Sequence, residues 1–487
     1  MTLVVDGHPF HYEMENLCRV FFPGEKIRTA AEPEENETAV YTGLAEEDGG
    51  HRVTVRLKTD GREMEKSERL PVGAESRDAE RRMGVLLLEL LSQEFNYRPK
   101  WGILTGVRPV KLFGRLAAEL GEEKASSHFR DELLVSSEKT ELSRLVSKNE
   151  QKILSVSKPD SFSLYVSIPF CPTRCAYCSF VASSVEKAFR LIPRYVELLC
   201  EELKQTARIA KELRLRLETV YFGGGTPTAI TADQLAALLD TVREEFDLSH
   251  CREFTVEAGR PDTVTVEKLA VLKTRGVTRI SINPQTLNDE VLEAIGRRHT
   301  TAQTLQAFEL ARRHDFDNIN MDLIAGLPKD DEEGFRRTID GVMALAPESV
   351  TVHTLALKRA AALAQEPGTT FWKAKTAEAM LEYADRTLLE NGYAPYYLYR
   401  QSRMVGNLEN TGWAKPGFES CYNVFIMEEN QSILACGAGA VTKLFDPATD
   451  RLERIFDFKY PYEYISRFQE MMMRKDRVNE FYGNVGK

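Results

Sequence analysis

Three cysteines, Cys171, Cys175 and Cys178, follow directly on the apolar run Leu164-Tyr165-Val166-Ser167-Ile168 in the spacing C-x3-C-x2-C. Thiolates are soft ligands that suit zinc and iron–sulfur clusters. A [4Fe–4S] cluster offers four irons to be ligated, so three protein cysteines leave one iron open to another ligand. A closed zinc site takes four ligands, commonly in two paired halves. No second half lies near: Cys200 falls in a helical pattern and the next histidine is His250. Eight cysteines in 487 residues are too sparse for a disulfide framework. Spacing alone leaves an open cluster, a zinc site or incidental cysteines, with the cluster favoured.

A second motif raises the cluster reading. In Val220-Tyr221-Phe222-Gly223-Gly224-Gly225-Thr226-Pro227-Thr228 an apolar strand runs into three glycines. Without side chains these let backbone approach a ligand closely. Glycines at a strand end are by themselves more often a tight turn.

Elements must position both motifs. Short apolar runs recur at 162–170, 219–223, 253–258, 279–283, 318–324 and 349–356, separated by helical patterns such as Val196, Leu199 and Leu203. Alternating strands and helices imply parallel βα units with right-handed crossovers, and in barrels of such units active residues gather where the strands end. Cys171, Gly223 to Gly225, Glu257, Gln285 and Asp322 all fall at such ends. The expected architecture is α/β, a partial (β/α)6 barrel over 162–370. An α+β domain over 1–155 precedes it, and a mostly helical extension over 371–487, read as covering the substrate, follows it.

In the N-terminal part, Leu3-Val4-Val5 and the alternating Val53, Val55 and Leu57 predict strands. Met83, Leu87, Leu91 and Phe95 predict a helix. The acidic stretch Glu32 to Glu47 reads as a solvated loop or face. Trp101, in a Gly/Pro-punctuated segment, reads as domain packing or as a contact with substrate or partner. The aromatic stretch Tyr393, Tyr396, Tyr397, Tyr399 and Trp413 suits either a core or the cover of a flat ligand.

The composition, 43% hydrophobic and 28% charged, is that of a globular protein. A net charge of −10 argues against nucleic-acid binding, which wants a basic face. No apolar run reaches the roughly 20 residues of a membrane span. No targeting pattern opens the sequence, and a cytoplasmic location is expected.

The paired cysteine and glycine motifs resemble the radical S-adenosylmethionine (SAM) family. Further marks narrow the resemblance to the oxygen-independent coproporphyrinogen III dehydrogenases and their relatives, the radical SAM haem chaperones. These marks are Tyr165-x-x-Ile168-Pro169-Phe170-Cys171, Glu257, Pro284-Gln285-Thr286-Leu287-Asn288, Gly296-Arg297-Arg298-His299, Asp322-Leu323-Ile324-Ala325-Gly326-Leu327-Pro328 and Gly437-Ala438-Gly439-Ala440. The pattern is most similar to the dehydrogenase branch with a long N-terminal domain.

The resemblance implies that Cys171, Cys175 and Cys178 hold a [4Fe–4S] cluster and that SAM is the second cofactor. It places Tyr165, Tyr177, Gly224, Gly225, Thr226, Glu257, Gln285, Arg297, Asp322 and Ala356 against SAM. It further implies one-electron cleavage of SAM to methionine and a 5′-deoxyadenosyl radical. That radical takes a hydrogen from a propionate of coproporphyrinogen III, and loss of CO2 and an electron leaves a vinyl group; two rounds give protoporphyrinogen IX. A low-potential donor such as flavodoxin or ferredoxin would supply electrons to this oxidoreductase of haem biosynthesis.

Two departures keep other readings open. The better-known dehydrogenases carry a fourth cysteine where Phe180 follows Ser179, so Cys178-Ser179-Phe180 looks like the chaperones. The chaperones in turn carry a His-Asn-x-x-Tyr-Trp motif where this chain has Tyr422-Asn423-Val424-Phe425-Ile426-Met427. A haem-binding, chaperone-like role and another radical SAM reaction are the alternatives.

Overall fold

The computed structural model describes residues 1–34, 37–47, 49–59, 61–178, 180, 182–356, 370–401 and 404–483. The chain divides into two compact units. One comprises Met1–Ser147, Thr354–Ala379 and Leu398–Asn410; the other comprises Lys148–His353, Met380–Tyr397 and Thr411–Lys487.

The second unit is built on strands that alternate with helices. We number them β1 (Ser161–Ile168), β2 (Arg216–Gly224), β3 (Glu253–Glu257), β4 (Arg279–Ser281), β5 (Ile319–Ala325) and β6 (Ser349–Thr354). Helices Ile192–Glu212, Ala232–Glu245, Val266–Thr274, Thr301–Arg313 and Glu332–Leu345 lie between successive strands. The six strands are neighbours in numerical order, and β1 to β5 pair in parallel. Parallel strands covered on both faces read as continuous apolar runs rather than alternating ones. In β1, Phe162, Leu164, Val166 and Ile168 are at most 1% exposed, and Ser161, Ser163 and Ser167 are buried between them.

The later segments extend this sheet rather than forming one of their own. They contribute β7 (Ala394–Tyr399), β8 (Asn410–Ala414), β9 (Ser432–Cys436), β10 (Val441–Asp446) and β11 (Arg451–Phe456). The full order is β7-β8-β6-β5-β4-β3-β2-β1-β9-β10-β11. β9 lies parallel to β1 on the side away from β2, so the first strand of the series is interior. Tyr393, Tyr396, Tyr397 and Trp413 are all buried, which makes that aromatic stretch core.

The first unit carries a five-stranded sheet in the order Arg28–Thr29, Thr2–Asp6, Ala39–Glu47, Gly50–Thr59, Arg62–Leu70, with helices His11–Phe21 and Ser76–Phe95. Val53, Val55 and Leu57 are fully buried, as are Met83, Leu87 and Leu91. The acidic stretch is not a loop throughout: Ala39–Glu47 is a strand paired antiparallel with Gly50–Thr59. Its core-facing residues Ala39, Val40 and Thr42 outweigh the two glutamates at its end. Trp101 is fully buried, and its Nε1 donates to Glu409 Oε2 at 2.6 Å.

Candidate cofactor site

β1 delivers the cysteines. Past Ile168 the chain turns at Pro169, and Phe170–Cys171 pairs briefly with Ser183–Ser184. The glycine run of β2 lies beside this end, Ser167 opposite Gly223 and Ile168 opposite Gly224. Gly224 has φ of +105°, a conformation side chains disfavour. A Cβ on Gly225 would stand 2.7 Å from the Phe170 carbonyl oxygen, so this position has no room for any other residue. The close approach is fastened by Gly225 N donating to Ile168 O at 2.9 Å and Thr226 N to Phe170 O at 2.8 Å. The Thr226 hydroxyl points at Cys171 Sγ, 3.4 Å away.

The rest of the cysteine loop is tied to the turn after helix Asp289–Ala294. Ala176 N donates to Ile295 O at 2.9 Å, and Thr173 Oγ1 to Gly296 O at 3.2 Å. All three cysteines are free and partly exposed. Burial pushes the Cys171 thiol up to about 11 and raises Cys178 as well, so ligation would release their protons. Cys18 and Cys436 are fully buried, free thiols elsewhere in the chain.

β2 to β5 and the loops that follow them supply a polar wall. Tyr221 OH donates to Glu257 Oε1 at 2.6 Å. Burial pushes the Glu257 carboxyl up to about 7, partly offset by that hydrogen bond. Arg297 is buried: its Nη1 donates to Asn283 O at 2.6 Å and its Nη2 to Tyr177 OH at 3.1 Å, while its Nε has no partner. His299 is buried with neither ring nitrogen partnered, and burial beside Arg297 and Arg260 lowers it to about 4. Asp322 accepts from Asn320 Nδ2 at 2.7 Å and lies 3.9 Å from His353 Nε2. Burial opposes its charge, yet His353, Asn320 and Thr351 hold the carboxyl below its ordinary range. Gln285 has φ of +69°, rare for a residue that is neither Gly nor Asn. Its backbone pairs with β5, Gln285 N donating to Asp322 O at 2.9 Å and Ile324 N to Gln285 O at 3.0 Å.

The Radical SAM superfamily model matches residues 165–342. The chain is 37% identical over 483 residues to the oxygen-independent coproporphyrinogen-III oxidase-like protein HemZ of Bacillus subtilis, covering 96% of this chain and 95% of that one. The chain belongs to this oxidase-like family of radical SAM proteins. It is also similar to the haem chaperone HemW of Lactococcus lactis, at 34% identity over 58% of this chain and 70% of that one. Among solved structures, coproporphyrinogen III oxidase (HemN) from Escherichia coli shares the fold. Its TM-score is 0.51 at 22% identity, covering 66% of this chain and 72% of that one.

Radical SAM proteins use a [4Fe–4S] cluster and SAM, and the residues present fit both. Among the described residues no three His, Cys, Asp or Glu side chains converge on one ion. A cluster does not require that, because each thiolate takes a different iron of the cube. The three soft donors, the glycine cradle and the unpartnered Arg297 Nε suit a cluster with an amino-acid ligand beside it. Among the described residues, no helix of this radical SAM chain is long and apolar enough to cross a membrane.

Tyr165, Tyr177, Glu257, Gln285, Arg297 and Asp322 stand on the strands and loops of the second unit, as the cysteines and glycines do, Tyr165 and Asp322 in mid-strand. Ala356 forms an isolated bridge with Met404 and belongs to the first unit. Ser179, at the departure from the dehydrogenase motif, lies outside the described residues. Sequence reasoning missed four residues. Tyr221 and Tyr422 stack at 4.4 Å between ring centroids, with Tyr165 about 6 Å from each (6.2 and 6.1 Å). Asn283 holds Arg297 through its carbonyl and Asp322 N through its Oδ1. Arg260 enters the cysteine loop. Tyr221 could have been found, since it sits two residues before the first of the glycines, on the same strand.

Proposed function

We propose that this protein is an oxygen-independent coproporphyrinogen III dehydrogenase that converts two propionates to vinyl groups. The observation that carries this reading over haem carriage is Tyr422. It stands where the chaperone motif places a histidine, buried with its ring against Tyr221. Burial pushes its hydroxyl well above the ordinary tyrosine range, which disfavours the tyrosinate that haem iron would need.

In this reading Cys171, Cys175 and Cys178 hold the cluster. Arg297 Nε takes the methionyl carboxylate, a charge-assisted contact the chain leaves open. Gly224, Gly225 and Thr226 present backbone to the methionyl amine, Glu257 faces a cationic group of SAM, and Gln285 and Asp322 accept from the ribose. Tyr165 and Tyr177 wall the pocket and exclude water. When bound, cluster and SAM supply one-electron cleavage to a 5′-deoxyadenosyl radical that abstracts hydrogen from the propionate. The chain supplies orientation, for which ångström-scale displacement costs about a hundredfold in rate.

Anaerobic incubation with coproporphyrinogen III, SAM and a low-potential reductant is expected to yield 5′-deoxyadenosine, methionine and vinyl tetrapyrrole. A sharp, stoichiometric haem complex that passes haem to another protein, without vinyl product, would overturn the reading.

A further inference from the structure

Arg260 follows β3 in Ala258-Gly259-Arg260-Pro261 and is only 3% exposed. Its planar fork is split between two tasks. Nε and Nη2 each donate at 3.0 Å to the two carboxylate oxygens of Asp262. Nη1 turns the other way, donating to Thr173 Oγ1 at 2.9 Å and approaching Cys175 Sγ at 4.0 Å. Thr173 passes the connection on to Gly296 O, so the guanidinium enters a loop already fixed on its far side. Asp262 is 25% exposed in its side chain, against 4% for Arg260. Water screens the carboxylate while the low-dielectric interior leaves the cation's field on the cysteine side.

We propose that Arg260 is a positioning and tuning residue of the cluster, setting how readily it accepts an electron. The inference rests on Cys175 being a cluster ligand. A cation and an N–H directed at a cluster thiolate favour the more negative, reduced state, because charge and hydrogen bonds around the sulfurs set cluster potential. Asp262 moderates that effect by engaging two of the three guanidinium nitrogens. A plain structural ion pair would also join Arg260 to Asp262, but it would leave electron affinity untouched.

Redox titration of the anaerobically reconstituted full chain, followed by electron paramagnetic resonance, separates the two. Arg260→Gln is expected to keep its iron and lower the reduced-to-oxidised ratio at fixed potential about tenfold, a 59 mV shift for one electron. Arg260→Lys, which keeps the charge, is expected to stay near the parent. Asp262→Asn is expected to move the ratio the opposite way, since the cation loses its counter-charge. Parent-like titrations in both Arg260→Gln and Asp262→Asn overturn the proposal. Should Arg260→Gln not retain iron, Asp262→Asn decides alone: an unchanged or lower ratio overturns it. A parent chain that binds no cluster would instead defeat the ligand assignment on which the proposal stands.

Discussion

Two glycine turns flank the end of β1, one after each of its parallel neighbours, and they do opposite things. Gly437, after β9, has φ of +99°, and a Cβ there would lie 2.6 Å from both Ser167 O and Tyr195 OH. Gly225, after β2, is pressed as hard against Phe170. By sequence the two turns are alike. Around Gly437, however, the protein answers its own buried charges, Lys475 Nζ facing Glu202 Oε1 at 2.7 Å and Asp457 Oδ2 at 4.0 Å, while Gly437 N donates to Glu202 Oε2 and Ala438 N to Tyr195 OH, each at 2.8 Å. Ser167 Oγ returns a hydrogen bond to Ala438 O at 2.8 Å. Beneath them Tyr464 OH reaches the Glu202 carboxylate at 2.6 Å. On the wall beyond Gly225, the Nε of Arg297 and both nitrogens of His299 are left without partners. A glycine turn whose buried charges are met by counter-charges of the chain is a clasp, whereas one beside buried polar atoms with neither hydrogen bond nor counter-charge is a place for a ligand.

The largest effect tests the open side. Cys171→Ala, Cys175→Ala or Cys178→Ala is expected to abolish iron binding in anaerobic reconstitution, while Cys200→Ala and Cys436→Ala keep it. Iron lost from Cys200→Ala would break the assignment of three ligands.

The clasp should fail differently. Lys475 is buried, and although burial opposes its charge, Cys436, Glu202 and Asp457 hold it above its ordinary range. Removing one partner of such a pair strands the other, at about 3–5 kcal/mol. Lys475→Met is therefore expected to lower the denaturant midpoint strongly while folded molecules still bind SAM. Unchanged stability with lost SAM affinity would reverse the roles of the two turns.

Arg297→Ala and Asp322→Ala should retain iron and weaken SAM binding by about 1.5–3 kcal/mol, roughly ten- to a hundredfold. SAM titrations that overlay the parent would reduce both residues to structural charges.

The smallest effect is a pH dependence. With burial pushing Glu257 up to about 7, the carboxylate proposed to face SAM is charged above that pH and neutral below it. SAM affinity is expected to fall as pH drops from 8 to 6, by up to about tenfold, and Glu257→Gln should flatten the profile. A parent profile that is already flat would remove Glu257 from the site.

The six strands of the series were legible because buried parallel strands announce themselves as apolar runs, and the cysteine spacing because cluster ligation admits few patterns. Ala39–Glu47 was hidden by its acidic surroundings. What stayed invisible depended on partners distant in sequence. Nothing in Gly259-Arg260-Pro261 reveals that one nitrogen reaches Thr173, nor does Gln285 betray a positive φ by its residue type. Nothing in the sequence around Glu202 or Lys475 tells that folding buries the two together.

The placement of β9 beside β1 also orders events during synthesis. Until residues 432–436 have left the ribosome, the strand that leads into the cysteines has one bare edge, with unpaired amides and carbonyls. The Gly437 clasp that grips its end is later still. A chain ending before residue 432 would therefore keep that edge open to pairing with another strand, and would lack the clasp as well.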